Sequence, residues 1–136
     1  MAEFVAQEEM GRDTGYWWSP DERHIAYLRV DDSPVPLEKR YEVLGADITV
    51  REQRYPAAGT SNAIVSLHVV DVQTGSKRDL PLGAAGDFYI PRVKWLPNGR
   101  QLAVQRQSRD QQSLVLLAID IDTGERRELL GEQADT

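Results

Sequence analysis

The stretch WSPDERHIAY at residues 18–27 recurs as WLPNGRQLAV at residues 95–104, and this repeat decides the predicted fold. Each copy begins with tryptophan, passes through a proline-centred turn and ends in alternating apolar and polar residues, the pattern of a half-buried β-strand. The Asn-Gly pair at residues 98–99 predicts a type I′ hairpin turn, which needs positive φ at both central residues. The Asp-Glu pair at residues 21–22 is a weaker version of the same turn.

A second pair of segments repeats in the same order. SLHVVDVQTG at residues 66–75 matches VLLAIDIDTG at residues 115–124. In both, a strand runs into an Asp-x-x-Thr-Gly turn, where glycine supplies a backbone conformation that a β-carbon would strain. A charged strand leaves each turn, at residues 76–80 and 125–129. The chain therefore contains two similar units of short strands and turns.

The spacing of the two repeats locates an insertion. Trp18 and Trp95 lie 77 positions apart, whereas Ser66 and Val115 lie 49 positions apart. The 28-residue difference places extra sequence in the first unit, within about residues 32–62. Without this insertion the period is about 50 residues, in the range in which β-propeller blades repeat.

We predict an all-β fold: about two blades of a β-propeller, with a short N-terminal acidic helix and a β-hairpin arm insertion. The helix takes residues 3–11, the first blade unit takes residues 16–80 with its arm insertion at 32–62, and the second takes residues 88–130. The predicted strands are 24–30, 47–54, 64–72, 76–80, 92–95, 101–107, 113–121 and 125–130. A small β-sandwich with similar hairpins is the alternative.

Two blades cannot close a ring, because a propeller typically has four to eight of them. We therefore expect residues 1–136 to be a fragment of one larger β-propeller domain.

The composition narrows the classes of function. The 136 residues are 40% hydrophobic and 28% charged, as is typical of a globular domain. The net charge of −6, with no Lys/Arg stripe interleaved with aromatic residues, argues against nucleic acid as a partner. No apolar run approaches the roughly 18 residues of a membrane span, and no signal-peptide pattern is present. Cysteine is absent, which excludes disulfides and thiol chemistry but does not fix the compartment.

Few residues suggest chemistry of their own. His24 and His68 lie on predicted strands without a second ligand at metal spacing, so we expect no metal site. No glycine-rich phosphate loop occurs, and no cofactor is expected. No G-x-S-x-G nucleophile elbow is present, and the serines, Ser66 among them, lie in turns or strands with no base nearby in sequence. We expect no catalytic residue in this chain. For Trp17, Trp18 and Trp95 the alternatives are ligand binding and packing, and we expect core or inter-blade packing, above all for the repeated Trp18 and Trp95.

Several segments, in order, carry a family resemblance. They are EFVAQEEM at 3–10, YWWSP at 16–20, IAY at 25–27, DDSPVPL at 31–37, RYPAAGTSNA at 54–63 and VSLHVVD at 65–71. In these segments the chain resembles the N-terminal β-propeller of dipeptidyl peptidase IV, in the prolyl oligopeptidase group of serine peptidases. The resemblance is strong over residues 3–72 and generic beyond them. The family has a third acidic residue before its glutamate pair, where this chain has Gln7.

Two interpretations of Glu8 and Glu9 stand side by side. From the residues alone, the pair is the solvated face of a short helix, because neighbours on a regular helix point roughly 100° apart. The resemblance implies instead that both carboxylates bind the protonated α-amino group of a peptide substrate. We favour the second interpretation. It implies a partner peptide with a free N-terminus and a role in substrate binding without bond chemistry.

The insertion also has two interpretations. Apolar and charged residues alternate between Asp32 and Tyr55, which fits a long hairpin folded over its own blade. The resemblance implies an arm, residues 32–55, that helps to form a homodimer. A two-stranded ribbon is marginally stable alone, so docking on a partner is physically reasonable.

The resemblance implies that the parent protein removes N-terminal dipeptides, with Pro or Ala in second place, by acyl transfer to a serine. Its catalytic triad would belong to a C-terminal hydrolase domain of the same parent chain, which is absent here, so this fragment alone should be inactive. The alternative function is a non-catalytic β-propeller or β-sandwich that serves as a scaffold for protein binding. A nucleophile elbow elsewhere in the parent gene would distinguish the two.

Overall fold

The computed structural model describes residues 2–83 and 87–134. These residues are almost entirely strand and turn. One short helix and eleven strands occur among them: α1 Phe4–Glu8, β1 Tyr16–Trp18, β2 His24–Asp31, β3 Leu37–Leu44, β4 Asp47–Arg54, β5 Ile64–Asp71, β6 Lys77–Leu80, β7 Phe88–Tyr89, β8 Val93–Trp95, β9 Gln101–Ser108, β10 Ser113–Asp120 and β11 Arg126–Gln133. The predicted all-β class is confirmed.

Two antiparallel sheets carry the two repeats. The first has the strand order β1-β2-β5-β6, and the second has the order β11-β10-β9-β7, with β8 also paired to β9. Neighbouring strands follow one another along the chain with two exceptions: β3 and β4 intervene between β2 and β5, and β8, which also pairs with β9, lies between β7 and β9. Each sheet is thus a meander, as the repeated strand-turn-strand pattern predicts.

A hydrophobic core forms from the alternating positions of β5, β9 and β10. Val65, Leu67 and Val69 are buried on β5, while the residues between them are not. Their partners in the core are Leu102 and Val104 on β9 and Leu117 and Ile119 on β10, together with Ile90, Val93 and Trp95. Alternation with a period of two places every second side chain on the same face, so each sheet buries one face in this core.

The Pro-containing turns at residues 19–22 and 96–99 differ in type from the prediction. The N–H of Gly99 donates to the carbonyl of Leu96, and the N–H of Glu22 donates to that of Ser19, both at 3.0 Å. Positive φ occurs at Gly99 (66°) and Glu22 (58°) but not at Asn98. The type I′ prediction is wrong, because the proline at the first central position fixes φ near −65°. The turns are type I with a left-handed residue after them, the bulged hairpin form.

The Asp-x-x-Thr-Gly turns form as predicted. Asp71 Oδ1 accepts hydrogen bonds from the backbone N–H groups of Gln73 and Thr74, and Asp120 Oδ1 accepts the equivalent pair. Gly75 and Gly124 have φ of 71° and 72°, the left-handed conformation that only glycine adopts freely. The two turns are therefore the same structure built twice.

The repeated tryptophans differ in burial. Trp95 is 7% exposed within the core and its Nε1 donates to the carbonyl oxygen of Trp17 at 2.9 Å, whereas Trp18 is 51% exposed. The packing prediction is confirmed for Trp95. Trp18 does not pack in the core of the described residues, and its inter-blade packing stays a prediction. Trp95 contacts the first sheet through Trp17, whereas Trp18, at the same repeat position, is half exposed.

The N-terminal helix is shorter than predicted. It covers residues 4–8 instead of 3–11, and Glu9 is its C-cap. The N–H groups of Met10 and Arg12 still donate to the carbonyls of Val5 and Ala6, but Gly11 has φ of 60° and turns the chain out of the helix.

Residues Asp31–Ile64 form a separate compact unit built on a hairpin. Strands β3 and β4 pair over their whole length, from Leu37 opposite Arg54 to Leu44 opposite Asp47. Gly45, with φ of 66°, begins the two-residue loop, as in a type II′ turn. The sequence predicted β4 but missed β3, as it missed the short strands β1 and β7.

Candidate functional site

Glu8 and Glu9 lie at the point where α1 ends. Glu8 is the last helical residue and Glu9, with φ −109° and ψ −32°, is the C-cap. The two side chains are therefore not successive residues of a continuing helix, and the roughly 100° separation of a regular helix does not apply beyond this point. Both residues are exposed. Within residues 2–83 and 87–134, no hydrogen bond or ion pair engages either carboxylate.

A third acidic residue of the same segment has a different environment. Glu3 forms an ion pair with Arg12, in which both guanidinium–carboxylate contacts come from Arg12 Nη2, at 2.9 Å to Oε1 and 2.7 Å to Oε2. Each side chain is only 4% exposed. The sequence analysis assigned no role to this pair, although an acidic and a basic residue on either side of a short helix are a signal that could have found it.

Arg12 also joins this segment to the second repeat. Its Nε donates to the carbonyl oxygen of Ile90 at 2.8 Å, and its Nη1 donates to that of Thr14 at 2.9 Å. From the other side, Arg92 Nη1 donates to the carbonyl oxygen of Met10 at 2.7 Å. The backbone on both sides of Gly11 is therefore attached to the residues between β7 and β8.

Gln7, at the place of the family's third acidic residue, is part of the same framework. Its Nε2 donates to the carbonyl oxygen of Ala2. The segment of residues 2–14, which we call the acidic segment, thus uses Glu3, Gln7 and Arg12 to hold its backbone. Only Glu8 and Glu9 among its carboxylate-bearing helical and capping residues remain directed to solvent.

A Ser–His–Asp chain of hydrogen bonds lies on the first sheet. Ser66 Oγ is 2.8 Å from His68 Nε2, and His68 Nδ1 is 2.7 Å from Asp79 Oδ1. The expectation that every serine lies away from a base is therefore wrong for Ser66, because residues two apart on a strand share one face.

The geometry of the Ser66–His68–Asp79 hydrogen bonds favours a structural role. Asp79 is opposite His68 on the neighbouring strand and its side chain is 87% exposed, while the ring of Tyr27 stacks on His68 at 5.2 Å. Strand β5 has a neighbour on each edge, so the sheet engages its amide groups. A nucleophilic serine needs N–H donors directed at a developing oxyanion, and an inner strand supplies them to the ladder instead.

The described ranges offer neither a metal site nor a membrane-spanning helix. Residues 2–83 and 87–134 contain no group of three or more His, Cys, Asp or Glu side chains placed to hold a metal ion. Over the same residues no helix is long and apolar enough to cross a membrane.

The repeated antiparallel meanders with an acidic segment in front define the class as an all-β domain built from two similar sheets. The chain matches, over residues 1–136, the family model described as the dipeptidyl peptidase IV (DPP IV) N-terminal region. It therefore belongs to that family, and the resemblance noted in its sequence is confirmed.

Named relatives and solved structures agree with this assignment. The chain is 32% identical over 130 residues to the inactive dipeptidyl peptidase 10 of Rattus norvegicus and 30% identical over 135 residues to the probable dipeptidyl-aminopeptidase B of Phaeosphaeria nodorum, matching 91% and 88% of this chain. It superimposes on dipeptidyl peptidase 4 of Porphyromonas gingivalis with a TM-score of 0.88 at 27% identity, over 98% of this chain.

The chain is short compared with these proteins. It spans 16% and 15% of the two relatives and 19% of the bacterial structure. What it shares with them is a part of their N-terminal region, so the activity of a whole protein is a matter for proposal.

Proposed function

We propose that this chain is the amino-terminus recognition part of a dipeptidyl peptidase IV-like serine exopeptidase, and that Glu8 and Glu9 bind the α-ammonium group of the substrate. The observation that carries the proposal is the pair of exposed neighbouring carboxylates, without partners in the described residues, at the end of a helix whose backbone is fixed. Family membership supports the wider activity.

The chemistry of the pair suits an ammonium ion. An ammonium group offers three hydrogen-bond donors and no acceptor, and two carboxylates can take two of them in charge-assisted bonds. Two carboxylates held close together also repel each other, and a bound cation relieves that repulsion. The site would reject a peptide whose amino group is acylated, because acylation removes the charge and two of the donors.

The pair would set the position of cleavage without taking part in bond making. In the proposed parent, a serine of the C-terminal hydrolase domain attacks the carbonyl carbon of the second residue, which is preferably Pro or Ala. The attack breaks the peptide bond after that residue, and the rest of the peptide leaves with its new amino group protonated. Water then hydrolyses the acyl-enzyme, which frees the serine and releases the dipeptide. A fixed distance between the glutamate pair and that serine allows only two residues to lie between them. This chain alone is predicted to be inactive.

The direct test uses the full-length parent protein and a dipeptidyl chromogenic substrate such as alanyl-prolyl p-nitroanilide. Glu8→Gln and Glu9→Gln should each lower kcat/KM by about 30-fold or more, since losing one partner of a buried charge pair costs about 2–5 kcal/mol and 1.4 kcal/mol is tenfold. N-acetylation of the substrate should reproduce the loss. The matched control is Glu125→Gln, another exposed glutamate, which should leave kcat/KM unchanged. Normal cleavage by both site variants would refute the amine-binding role.

One specific observation favours a second function. The rat relative is named an inactive dipeptidyl peptidase, so the family includes members without the activity. Under this alternative the chain is part of a non-catalytic scaffold for protein binding, and Glu8 and Glu9 are only solvated. A parent gene that lacks a nucleophile elbow serine would support the scaffold and exclude the peptidase.

We also propose that the two meanders are successive blades of a larger propeller. The repeated positions of Trp18 and Trp95 support this arrangement. Trp95 packs toward the first sheet, so the exposed Trp18 marks the face against which a preceding blade would pack. Burial of an aromatic side chain on that face would add to stability in the complete domain.

The hairpin of residues 31–64 is proposed to be a homodimer arm. Tyr41 and Val43 face Val50 and Ile48 across the strands, and these four side chains are 51–66% exposed. The apolar face formed by these four residues is therefore not covered by its own unit. This supports an arm that docks on a partner, because exposed apolar patches commonly mark interaction sites.

A further inference from the structure

Several anchors of the acidic segment converge on one residue, Arg12. Arg12 makes contacts with Glu3, which precedes α1, with Thr14, which precedes β1, and with Ile90, which follows β7. Its own backbone N–H donates to the carbonyl of Ala6 within α1 at 2.8 Å. Arg12 thus contacts both ends of the acidic segment and the backbone that follows β7, beside the separate bond from Arg92 to the Met10 carbonyl.

We infer that Arg12, held by Glu3, is the positioning residue for amino-terminus recognition, setting where Glu8 and Glu9 lie relative to the second sheet. This inference rests on the proposed function of the glutamate pair. Arg12 does not touch the substrate in this scheme. It acts through the backbone of the acidic segment, which it ties to a carbonyl 78 positions further along the chain.

The negative charge of Glu3 is needed to keep the Arg12 side chain buried. A buried guanidinium needs a compensating anion, and here Glu3 supplies it from within the acidic segment. Because Arg12 pairs with Glu3, it does not occupy Glu8 or Glu9, and both carboxylates are available to a substrate cation. The segment therefore divides its three glutamates between one structural role and two binding roles.

The planar fork of arginine is required for this geometry. Three nitrogens of Arg12 donate in different directions, to the Ile90 carbonyl, to the Thr14 carbonyl and to the Glu3 carboxylate. A lysine carries the same charge on one nitrogen and cannot reach all three acceptors at once. Arg12→Lys thus removes the anchoring while preserving the charge.

The test measures steady-state kinetics of Arg12→Lys and Glu3→Gln in the full-length parent with alanyl-prolyl p-nitroanilide. KM should rise about 10- to 100-fold with kcat changed little, since a displacement near 1 Å of a positioning group has effects of that size. Hydrolysis of p-nitrophenyl acetate, which has no amino group, should stay within about twofold of the unsubstituted enzyme. The Glu3→Gln/Arg12→Lys double variant should lose no more than the worse single variant, because the two residues act as one unit.

Arg78→Lys is the matched control. Arg78 Nη1 also donates to two backbone carbonyls, those of Ile121 and Asp122, but at the Asp-x-x-Thr-Gly turns instead of the acidic segment. It should lower the thermal unfolding midpoint without raising KM. If Arg12→Lys does not fold, Glu3→Gln carries the test alone.

The outcomes separate the inference from the function on which it rests. Normal KM in Arg12→Lys and Glu3→Gln, combined with defective Glu8→Gln, would overturn the positioning role alone. Normal cleavage by Glu8→Gln and Glu9→Gln would remove the proposed function and this inference with it. Equal losses of peptide and ester hydrolysis in Arg12→Lys would show a general structural role and would also overturn the inference.

Discussion

The acidic segment and the hairpin of residues 31–64 are opposites in construction. The acidic segment has a five-residue helix and little regular structure, yet its backbone is tied down by the buried side chain of Arg12. The hairpin has eight paired residues in each strand, yet most of its side chains are exposed. Backbone hydrogen bonding within an element therefore does not by itself bury its side chains or attach them to other parts of the protein. A charged group that must be placed accurately needs tertiary anchors, whereas a surface that binds a partner needs uncovered apolar side chains.

The largest expected effect is on the free energy of unfolding, and it is tested by breaking one ion pair in each region. Arg12→Met leaves Glu3 buried without a partner and should lower the free energy of unfolding by about 3–5 kcal/mol. Arg51→Met breaks the solvent-accessible pair with Glu42, in which the atoms are 2.8 Å apart and the side chains are 66% and 33% exposed, and should cost under about 1 kcal/mol. Chemical unfolding of the full-length variants measures both. Equal losses would show that burial does not distinguish the two regions.

The next effect concerns the apolar face of the hairpin. Tyr41→Glu places a charge on this face and should weaken dimerisation by about 2 kcal/mol or more if Tyr41 is central to an interface. The folded monomer should be little affected, since Tyr41 is exposed in its own unit. Light scattering after size-exclusion chromatography would report the mass. Arg40→Glu, on the opposite face of β3, is the control and should leave the dimer intact.

The smallest effect concerns acid stability of the sheet turns. Hydrogen bonds from the backbone N–H groups of Thr74 and Thr123 hold the pKa of Asp71 and that of Asp120 below their usual range. A lowered folded-state pKa stabilises the fold above the unfolded-state pKa of about 3.9, and this stabilisation is lost as the pH falls through the folded-state pKa. The unfolding midpoint should therefore decrease below about pH 4.

The Asp71→Asn/Asp120→Asn double variant is the test of that acid effect. An asparagine oxygen can accept the same backbone hydrogen bonds but does not titrate. The decrease of the unfolding midpoint with falling pH should be shallower in this variant than in the unsubstituted protein. An unchanged slope would mean that other carboxylates control acid unfolding. The hairpin loop, built on Gly45, has no such turn carboxylate and should not contribute.

Local patterns in the sequence predicted much of the two sheets. The Trp-x-Pro and Asp-x-x-Thr-Gly repeats located the turns, because proline and glycine restrict the backbone whatever surrounds them. The same local chemistry explains the mistake at Asn98, where the preceding proline overrides the Asn-Gly preference. A related turn at residues 108–111, with Gln111 at φ of 60°, was missed because it contains neither proline nor glycine.

Contacts between residues far apart in the sequence could not be predicted from these local patterns. Arg12 and Ile90 are 78 positions apart, and nothing in the local sequence of either residue indicates that they meet. The burial of Trp95 and the exposure of Trp18 depend on which sheet lies beside each residue, although their local sequences are similar. The Ser66–His68 contact was predictable in principle from the period of a strand, and its link to Asp79 was not, since it depends on the pairing of β5 with β6.

The sequence by itself determined the all-β class, the two repeated units, their turns and the presence of a glutamate pair beside a short helix, because each of these follows from residues close together in the chain. Only the tertiary structure decided that Glu3 is buried while Glu8 and Glu9 are exposed. Three glutamates within seven residues have the same chemistry, and only Arg12, positioned by its hydrogen bond to the second sheet, makes one of them structural and leaves the other two available.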